Sequence, residues 1–121
     1  MSAKSEKIKQ ILFDLEKNSE ITNSAIISLK GQMMASALHS DVDERAVAAM
    51  TAALTSVGSR VAETLNTGKT GSITIMASEK LIVVNQLAQA VLIALAPAGA
   101  KIGLIDYELN TALDKIKMVL G

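Results

Sequence analysis

The sequence predicts a single α+β domain with three layers (α/β/α), in which a five-stranded, mostly antiparallel sheet lies between helices. Three observations predict this class. Apolar residues at helical spacing alternate with short β-branched segments in the order helix, strand, strand, helix, strand, strand, strand, helix. Short turns join most strands, which makes the neighbouring strands antiparallel. The last strand is apolar throughout, so the sheet needs helices on both faces.

The composition limits the chain to one domain and to few chemistries. Half of its 121 residues are hydrophobic, enough for one core, so residues 1–121 form one predicted domain. Twelve basic residues balance twelve acidic ones, and only Phe13 and Tyr107 are aromatic. A chain with no net charge and few stacking rings is a poor candidate for binding nucleic acid. The absence of cysteine agrees with a reducing compartment.

No secretory signal or membrane insertion is expected. Lys4, Glu6 and Lys7 interrupt the N-terminus, where a signal peptide needs an uninterrupted apolar segment. The longest apolar run, 90–98, is far shorter than a membrane span and ends around Pro97. We therefore expect a soluble cytoplasmic protein.

The first predicted elements are an amphipathic helix and a hairpin. Segment 3–18 has one apolar stripe at helical spacing and is about four turns long. The stripe consists of Ile8, Ile11, Leu12 and Leu15. Strands at 24–30 and 33–38 follow, joined through Gly31, which can take the positive φ of a tight turn. Ser40, Asp41 or Asp43 can then cap the next helix.

The middle helix, from about residue 44 to residue 65, has two distinct faces when projected at about 100° per residue. The larger apolar side chains are predicted to cover the domain's own core. They are Val47, Met50, Leu54, Val57, Val61 and Leu65. The adjacent face carries only small residues and is predicted to pack against the helix of a second copy. These are Ala48, Ala52, Thr55, Ser59 and Ala62. The alternative is that these good helix formers face water.

Three strands and a helix complete the chain. Segment 71–78 alternates apolar and polar residues, 79–87 turns back and is apolar in its middle, and 90–96 is the predicted central strand. The final helix extends from residue 100 to the C-terminus. Its stripe consists of Ile102, Ile105, Leu109, Leu113, Ile116 and Leu120.

The segment Gly68-Lys69-Thr70 resembles part of a phosphate-binding loop. Such a loop needs another glycine five residues before Gly68, where this chain has Glu63, and it must leave a strand and enter a helix. This segment instead leaves a helix and enters a strand, and a helix C-terminus has the wrong polarity for phosphate. Gly68 is better explained as the left-handed residue that ends the middle helix.

Other catalytic and metal sites are also disfavoured. His39, Asp41, Asp43 and Glu44 are close in sequence, but helix capping explains the carboxylates, and no second histidine or thiolate supports a metal. Ser40 lacks a convincing general base other than His39. We therefore expect no catalytic residue, metal or cofactor.

Arg45 and Arg60 are predicted on the outer side of the middle helix. Either guanidinium could reach the phosphate of a bound partner, in the manner of an arginine finger. The alternative is a solvated helix surface.

The whole chain from residue 4 to residue 120 resembles the roadblock family of dynein-associated light chains. The resemblance rests on "LKGQMMASAL", on the small-faced helix beginning "DVDERAVAAM", and on "AVLIALAPAGAKIGLIDYELNTALDKI". It implies the strand order 2-1-5-4-3, with the middle helix on one face and both terminal helices on the other. One departure is Lys30 before Gly31, where many relatives have an acidic residue.

The resemblance also implies a function. Family members dimerise by joining third strands and pairing middle helices, and many bind or regulate Ras-like small GTPases. We therefore expect a non-catalytic homodimeric regulator or scaffold for such a GTPase. The alternative is a structural light-chain adaptor that does not sense nucleotide. A sensor or enzyme with a pocket in the sheet is disfavoured, because few polar residues converge.

The predicted dimer interface combines the small face of the middle helix with one edge strand. The strand residues are Ser72, Ile73, Thr74, Ile75 and Met76. No charge or proline lies between Gly71 and Ser78, so this edge is unprotected against pairing. The other predicted edge, 33–38, is equally unprotected by this criterion.

Overall fold

A five-stranded sheet, with every neighbouring pair of strands antiparallel, lies at the centre of the computed structural model, which describes residues 2–39 and 41–121. The strand order is β2-β1-β5-β4-β3, as expected. The elements are α1 (Ala3–Lys17), β1 (Asn23–Ser28), β2 (Met33–Ser36), α2 (Glu44–Thr64), β3 (Ser72–Met76), β4 (Lys80–Gln86), β5 (Ala90–Pro97) and α3 (Ile102–Leu120).

The central position of β5 follows from its composition. It pairs with β1 on one side and β4 on the other, and residues 90–94 are buried. A strand that is apolar at successive positions buries both of its faces only where helices cover both faces of the sheet. The prediction of a doubly buried central strand is confirmed.

Two cores of unequal size lie on the two faces of the sheet. The larger core, under α1 and α3, includes the fully buried Ile8, Leu12 and Ile116. The smaller core lies under α2 and includes Ile27 and Val91. The two terminal helices therefore cover one face together, and α2 alone covers the other.

The ends of α2 are fixed by local hydrogen bonds. Asp43 Oδ1 accepts a bond of 3.1 Å from the Ala46 N–H, so Asp43 is the N-cap. The predicted cap Ser40 lies outside the described residues.

At the C-terminal end of α2, Asn66 takes a left-handed conformation with φ 57°, directly after the C-cap Leu65. The prediction that Gly68 ends this helix is therefore wrong, although Gly68 also has positive φ in the following loop. Asparagine tolerates this conformation better than most residues.

The rotation of α2 about its axis is the reverse of the prediction. Ala48 and Thr55, expected to face a partner, are 1% and 6% exposed and pack on the domain's own sheet. Ala52, Ser59 and Ala62 are half-buried on the same side. Of the larger apolar side chains expected in the core, Val47 and Leu54 are half-buried and do pack against the smaller core. Met50, Val57, Val61 and Leu65 are exposed.

Close approach between α2 and the sheet explains this rotation. A Cβ added to Gly58 would lie 2.6 Å from Ile73 Cδ1, and one added to Gly31 would lie 3.5 Å from Ala52 Cβ. Gly31 takes φ 89° in the β1–β2 turn, as its predicted role requires. Small side chains allow a helix to lie close to a sheet, and the small face of α2 turns inward.

The last helix follows its predicted stripe except at its first turn. Ile105, Leu109, Leu113 and Ile116 are buried. Ile102, in the first turn, is 42% exposed.

The inward rotation of α2 predicts that enlarging its small face destabilises the isolated domain. Ala48→Leu adds volume to a packed site and should lower the free energy of unfolding by about 1–3 kcal/mol. Ser56→Leu, at an exposed position on another side of the same helix, should change it by less than about 0.5 kcal/mol. Urea unfolding at several protein concentrations measures both effects. Equal stability of the two variants would contradict this orientation.

Candidate interaction site

The outer side of α2 carries a line of exposed apolar side chains, which we call the α2 stripe. It consists of Met50, Val57, Val61 and Leu65, with exposed fractions of 63%, 59%, 53% and 67%. Spacings of seven and four residues place these side chains on one side of the helix. Contiguous exposed apolar surface is rare on soluble monomers and commonly marks an interaction site.

A free sheet edge lies beside the α2 stripe, because β3 is the last strand of the sheet. The Ala77 N–H donates to the Lys80 carbonyl, and the Gln86 N–H donates to the Gly71 carbonyl. Bonding in an antiparallel pair alternates along each strand. The N–H and C=O groups of Ser72, Thr74 and Met76 therefore point away from the sheet and can pair with another strand.

The two edges of the sheet are not equally unprotected, contrary to expectation. The strand at the other edge, β2, has only four residues, and its register with β1 shifts between Ile26 and Ile27. Helices α1 and α2 both contact β2. Short length and a bulge are recognised protections against edge pairing. Those features leave β3 as the edge suited to pairing.

An apolar cleft connects the α2 stripe to β3. It has a volume of about 380 Å³ and is lined by Met50 and Leu54 from α2 and by Ile75 and Ile82 from β3 and β4. Buried Ile93 also lines it. The stripe, the cleft and the β3 edge thus form one continuous, mainly hydrocarbon surface.

The structure divides the predicted interface residues into two groups. Of the five small residues of α2, Ala48 and Thr55 are buried, and Ala52, Ser59 and Ala62 are half-buried. In β3, Ile73 is half-buried beneath Gly58, whereas Ser72, Thr74, Ile75 and Met76 are exposed. The apolar members of the α2 stripe were identified in the sequence but assigned to the wrong side of the helix.

Arg45 and Arg60 are both exposed on α2, as predicted. Arg60 lines a shallow depression together with Val57, Val61 and Leu65, so it lies beside the α2 stripe. Within residues 2–39 and 41–121, neither guanidinium lies within 4.0 Å of a carboxylate. Both cations are therefore available to a partner.

The residues considered for a metal have separate partners. The backbone N–H of His39 donates to Asn23 Oδ1 at 2.8 Å. Glu44 Oε2 accepts a 2.7 Å hydrogen bond from the Ser36 hydroxyl. Asp43 caps α2. In the part of the chain that the structure describes, no group of three or more histidine, cysteine or acidic side chains is placed to hold a metal ion.

A partly buried carboxylate joins α1 to β1. Glu16 is 14% exposed, and its Oε2 accepts a 2.6 Å hydrogen bond from Ser24, whose side chain is fully buried. Its Oε1 lies 4.0 Å from His39 Nε2. Burial raises the pKa of Glu16, while the Ser24 hydrogen bond and the His39 charge act in the opposite direction. Sequence reasoning missed this contact; the only signal is a serine directly before the apolar middle of β1.

These features define a three-layer interaction domain with one free sheet edge beside an exposed apolar helix. The Roadblock/LC7 domain model matches residues 7–96, and the chain belongs to this family. None of the helices within the described residues is long and apolar enough to cross a membrane.

Relatives and solved structures cover nearly the whole chain. The protein MJ0310 of Methanocaldococcus jannaschii is 28% identical over 110 residues, which cover 91% of this chain and 96% of that protein. Myxococcus xanthus MglB superposes with a TM-score of 0.91 at 16% identity, covering 99% of this chain and 92% of MglB. A Roadblock/LC7 domain from Streptomyces avermitilis gives 0.84 at 18% identity, with coverages of 93% and 96%. These superpositions show a shared fold.

The raised pKa of Glu16 predicts a pH-dependent difference between the wild type and Glu16→Gln. Stabilisation from the neutral carboxyl is complete below its ordinary pKa of 4.5 and is lost as pH rises through the higher folded-state pKa. The unfolding free energy of the wild type, minus that of Glu16→Gln, should therefore fall over this interval. Urea unfolding across a pH series measures it, with the exposed Glu20→Gln as control. Differences that stay constant with pH would refute the assignment.

Proposed function

We propose that the protein is a non-catalytic homodimeric regulator or scaffold that binds a Ras-like small GTPase. The observation that carries the dimer is the α2 stripe lying beside the unprotected β3 edge. Membership of the Roadblock/LC7 family supports the choice of partner, since the resemblance implies GTPase-binding platforms. In this proposal the nucleotide belongs to the partner.

Antiparallel pairing of two β3 strands gives the proposed dimer its geometry. A two-fold axis beside β3 joins the outward N–H and C=O groups of Ser72, Thr74 and Met76 to the same set on a second copy. The joined sheet then has ten strands, with both α2 helices on the same face. Each β3 strand satisfies its free backbone groups without any change to its own pairing with β4.

The α2 stripes reinforce the strand pairing. The two-fold axis brings the two helices side by side, so apolar side chains such as Val57 and Val61 pack across it toward the cleft that Met50 and Ile75 line. Fully burying a side chain of this kind contributes about 1.5–3 kcal/mol before the cost of association is subtracted. The proposed helix contacts are therefore the α2 stripe, in place of the small residues first expected.

The GTPase-binding proposal places Arg45 and Arg60 at the partner contact. Both guanidiniums are exposed on α2 and lack a carboxylate partner within the described residues. Arginine is suited to binding phosphate because its planar donors form paired hydrogen bonds. Gly68-Lys69-Thr70 follows a helix and precedes a strand, which favours a non-catalytic role for this chain.

A charge or a proline at the proposed interface should dissociate the dimer. Val61→Glu would bury an unpaired carboxylate, and Thr74→Pro removes an N–H that points away from β4, so both should leave the monomer folded. Light scattering at micromolar concentration should show dimeric wild type and monomeric variants. Ser56→Glu, exposed on the other flank of α2, is the matched control.

A wild type that is monomeric in this experiment would refute the proposed dimer. Dimers that survive both Val61→Glu and Thr74→Pro would instead place the interface elsewhere. Circular dichroism of each variant establishes that it is folded.

Binding to a GTPase should depend on the nucleotide. Pull-downs from native lysate with GDP and with a non-hydrolysable GTP analogue should recover a Ras-like GTPase in different amounts. Arg60→Ala or Arg45→Ala should weaken this binding about tenfold, with the dimer unchanged. Lys17→Ala, on α1 across the sheet, is the control.

If the pull-downs recover the same partners with either nucleotide, and no GTPase is among them, the structural light-chain adaptor is favoured. Unchanged GTPase binding by both arginine variants would retain the regulator but move its contact surface.

A further inference from the structure

A polar cavity lies on the flank of α2 opposite the α2 stripe. Its volume is about 780 Å³, and it is formed by the C-terminal half of α2, the α2–β3 loop and the end of β4. Glu63, Lys69, Thr70 and Gln86 line it. The size is in the range of small-molecule sites, and the lining is more polar than that of the apolar cleft.

The α2–β3 loop that encloses this cavity is held at both ends. The Thr67 N–H donates to the Ala62 carbonyl at 3.0 Å, and the Gly71 carbonyl accepts a 3.0 Å bond from the Gln86 N–H. Between these bonds, Asn66 and Gly68 have left-handed φ values of 57° and 96°. Two such residues curve the backbone, which places Lys69 and Thr70 on the same cavity as Glu63.

Opposite charges face this cavity without neutralising each other. Glu63 and Lys69 both line it, yet in the described part of the chain their charged groups lie more than 4.0 Å apart. The Thr70 hydroxyl oxygen is buried and has no hydrogen-bond partner among the described residues. Buried hydroxyls without a partner are uncommon, because desolvating them is unfavourable. A ligand with both charges would pair with Glu63 and Lys69.

We propose that this cavity binds a small zwitterion of the amino-acid or short-peptide class. The ligand's ammonium group pairs with the Glu63 carboxylate near the C-terminal end of α2, where the helix dipole favours a cation. Its carboxylate pairs with the Lys69 ammonium. Both protein groups belong to one copy of the chain, so the site does not depend on the dimer proposal.

The test uses glycine, diglycine and triglycine as probes, which separate the two charges by increasing distances. Titration into ¹⁵N-labelled protein should give saturable amide shifts around residues 63–71 for at least one probe. The expected dissociation constant is on the order of 1 mM. N-acetylated and C-amidated forms of that probe each lack one charge and should bind at least about tenfold more weakly.

Variants identify the protein groups involved. Glu63→Gln and Lys69→Gln should each weaken binding about tenfold, whereas Lys17→Gln and Glu20→Gln, exposed at or just after the end of α1, should not. Thr70→Val removes a buried, unpartnered hydroxyl, so it should leave the ligand-free protein at least as stable.

Three results would overturn the zwitterion site. These are no saturable shift with any probe up to about 50 mM, acetylated and amidated forms that bind as tightly as the unmodified probe, and unchanged binding by Glu63→Gln and Lys69→Gln. The wild-type probe comparison keeps the test decisive if a variant folds poorly.

Discussion

The close contact between α2 and the sheet is the constraint on which the outer surface of this protein depends. Gly58 lies over Ile73 so closely that an added Cβ would come within 2.6 Å of its terminal carbon. Ala48 and Thr55 continue this contact along the helix. Because the small side chains occupy the inner side, larger apolar groups of the same helix remain outside. One packing requirement thus determines both the smaller core and the exposed stripe.

The two faces of the sheet show two ways of covering an apolar surface. Helices α1 and α3 together bury large side chains such as Leu12, Leu109 and Ile116. Helix α2 lies alone on its face and leaves the apolar cleft beside β3. A domain that buries one face fully and the other only in part has hydrophobic surface available for association. That surface adjoins the one sheet edge with neither a bulge nor short length to protect it.

The sequence predicts the order of elements and the central β5 because these follow from periodicity, turn residues and an uninterrupted apolar strand. The rotation of α2 could not be predicted in this way. A helical projection separates the small face from the large apolar face, but which face packs inward depends on the distance between helix and sheet. That distance depends on contacts between different elements, such as Gly58 of α2 with Ile73 of β3, which a projection of one helix does not include. The Glu16–Ser24 bond is similarly invisible, since it joins two elements whose relative position periodicity does not give.

Few of the charged side chains in the described residues pair with one another. The described residues contain one ion pair within 4.0 Å, between Glu16 and His39, although the chain has twelve basic and twelve acidic residues. Long-range attraction is weak because the net charge is zero. Specific recognition must then come from local groups placed beside apolar surface. Arg60 lies beside the α2 stripe and has no carboxylate partner among the described residues, so its guanidinium is free to pair with a phosphate or carboxylate outside the chain.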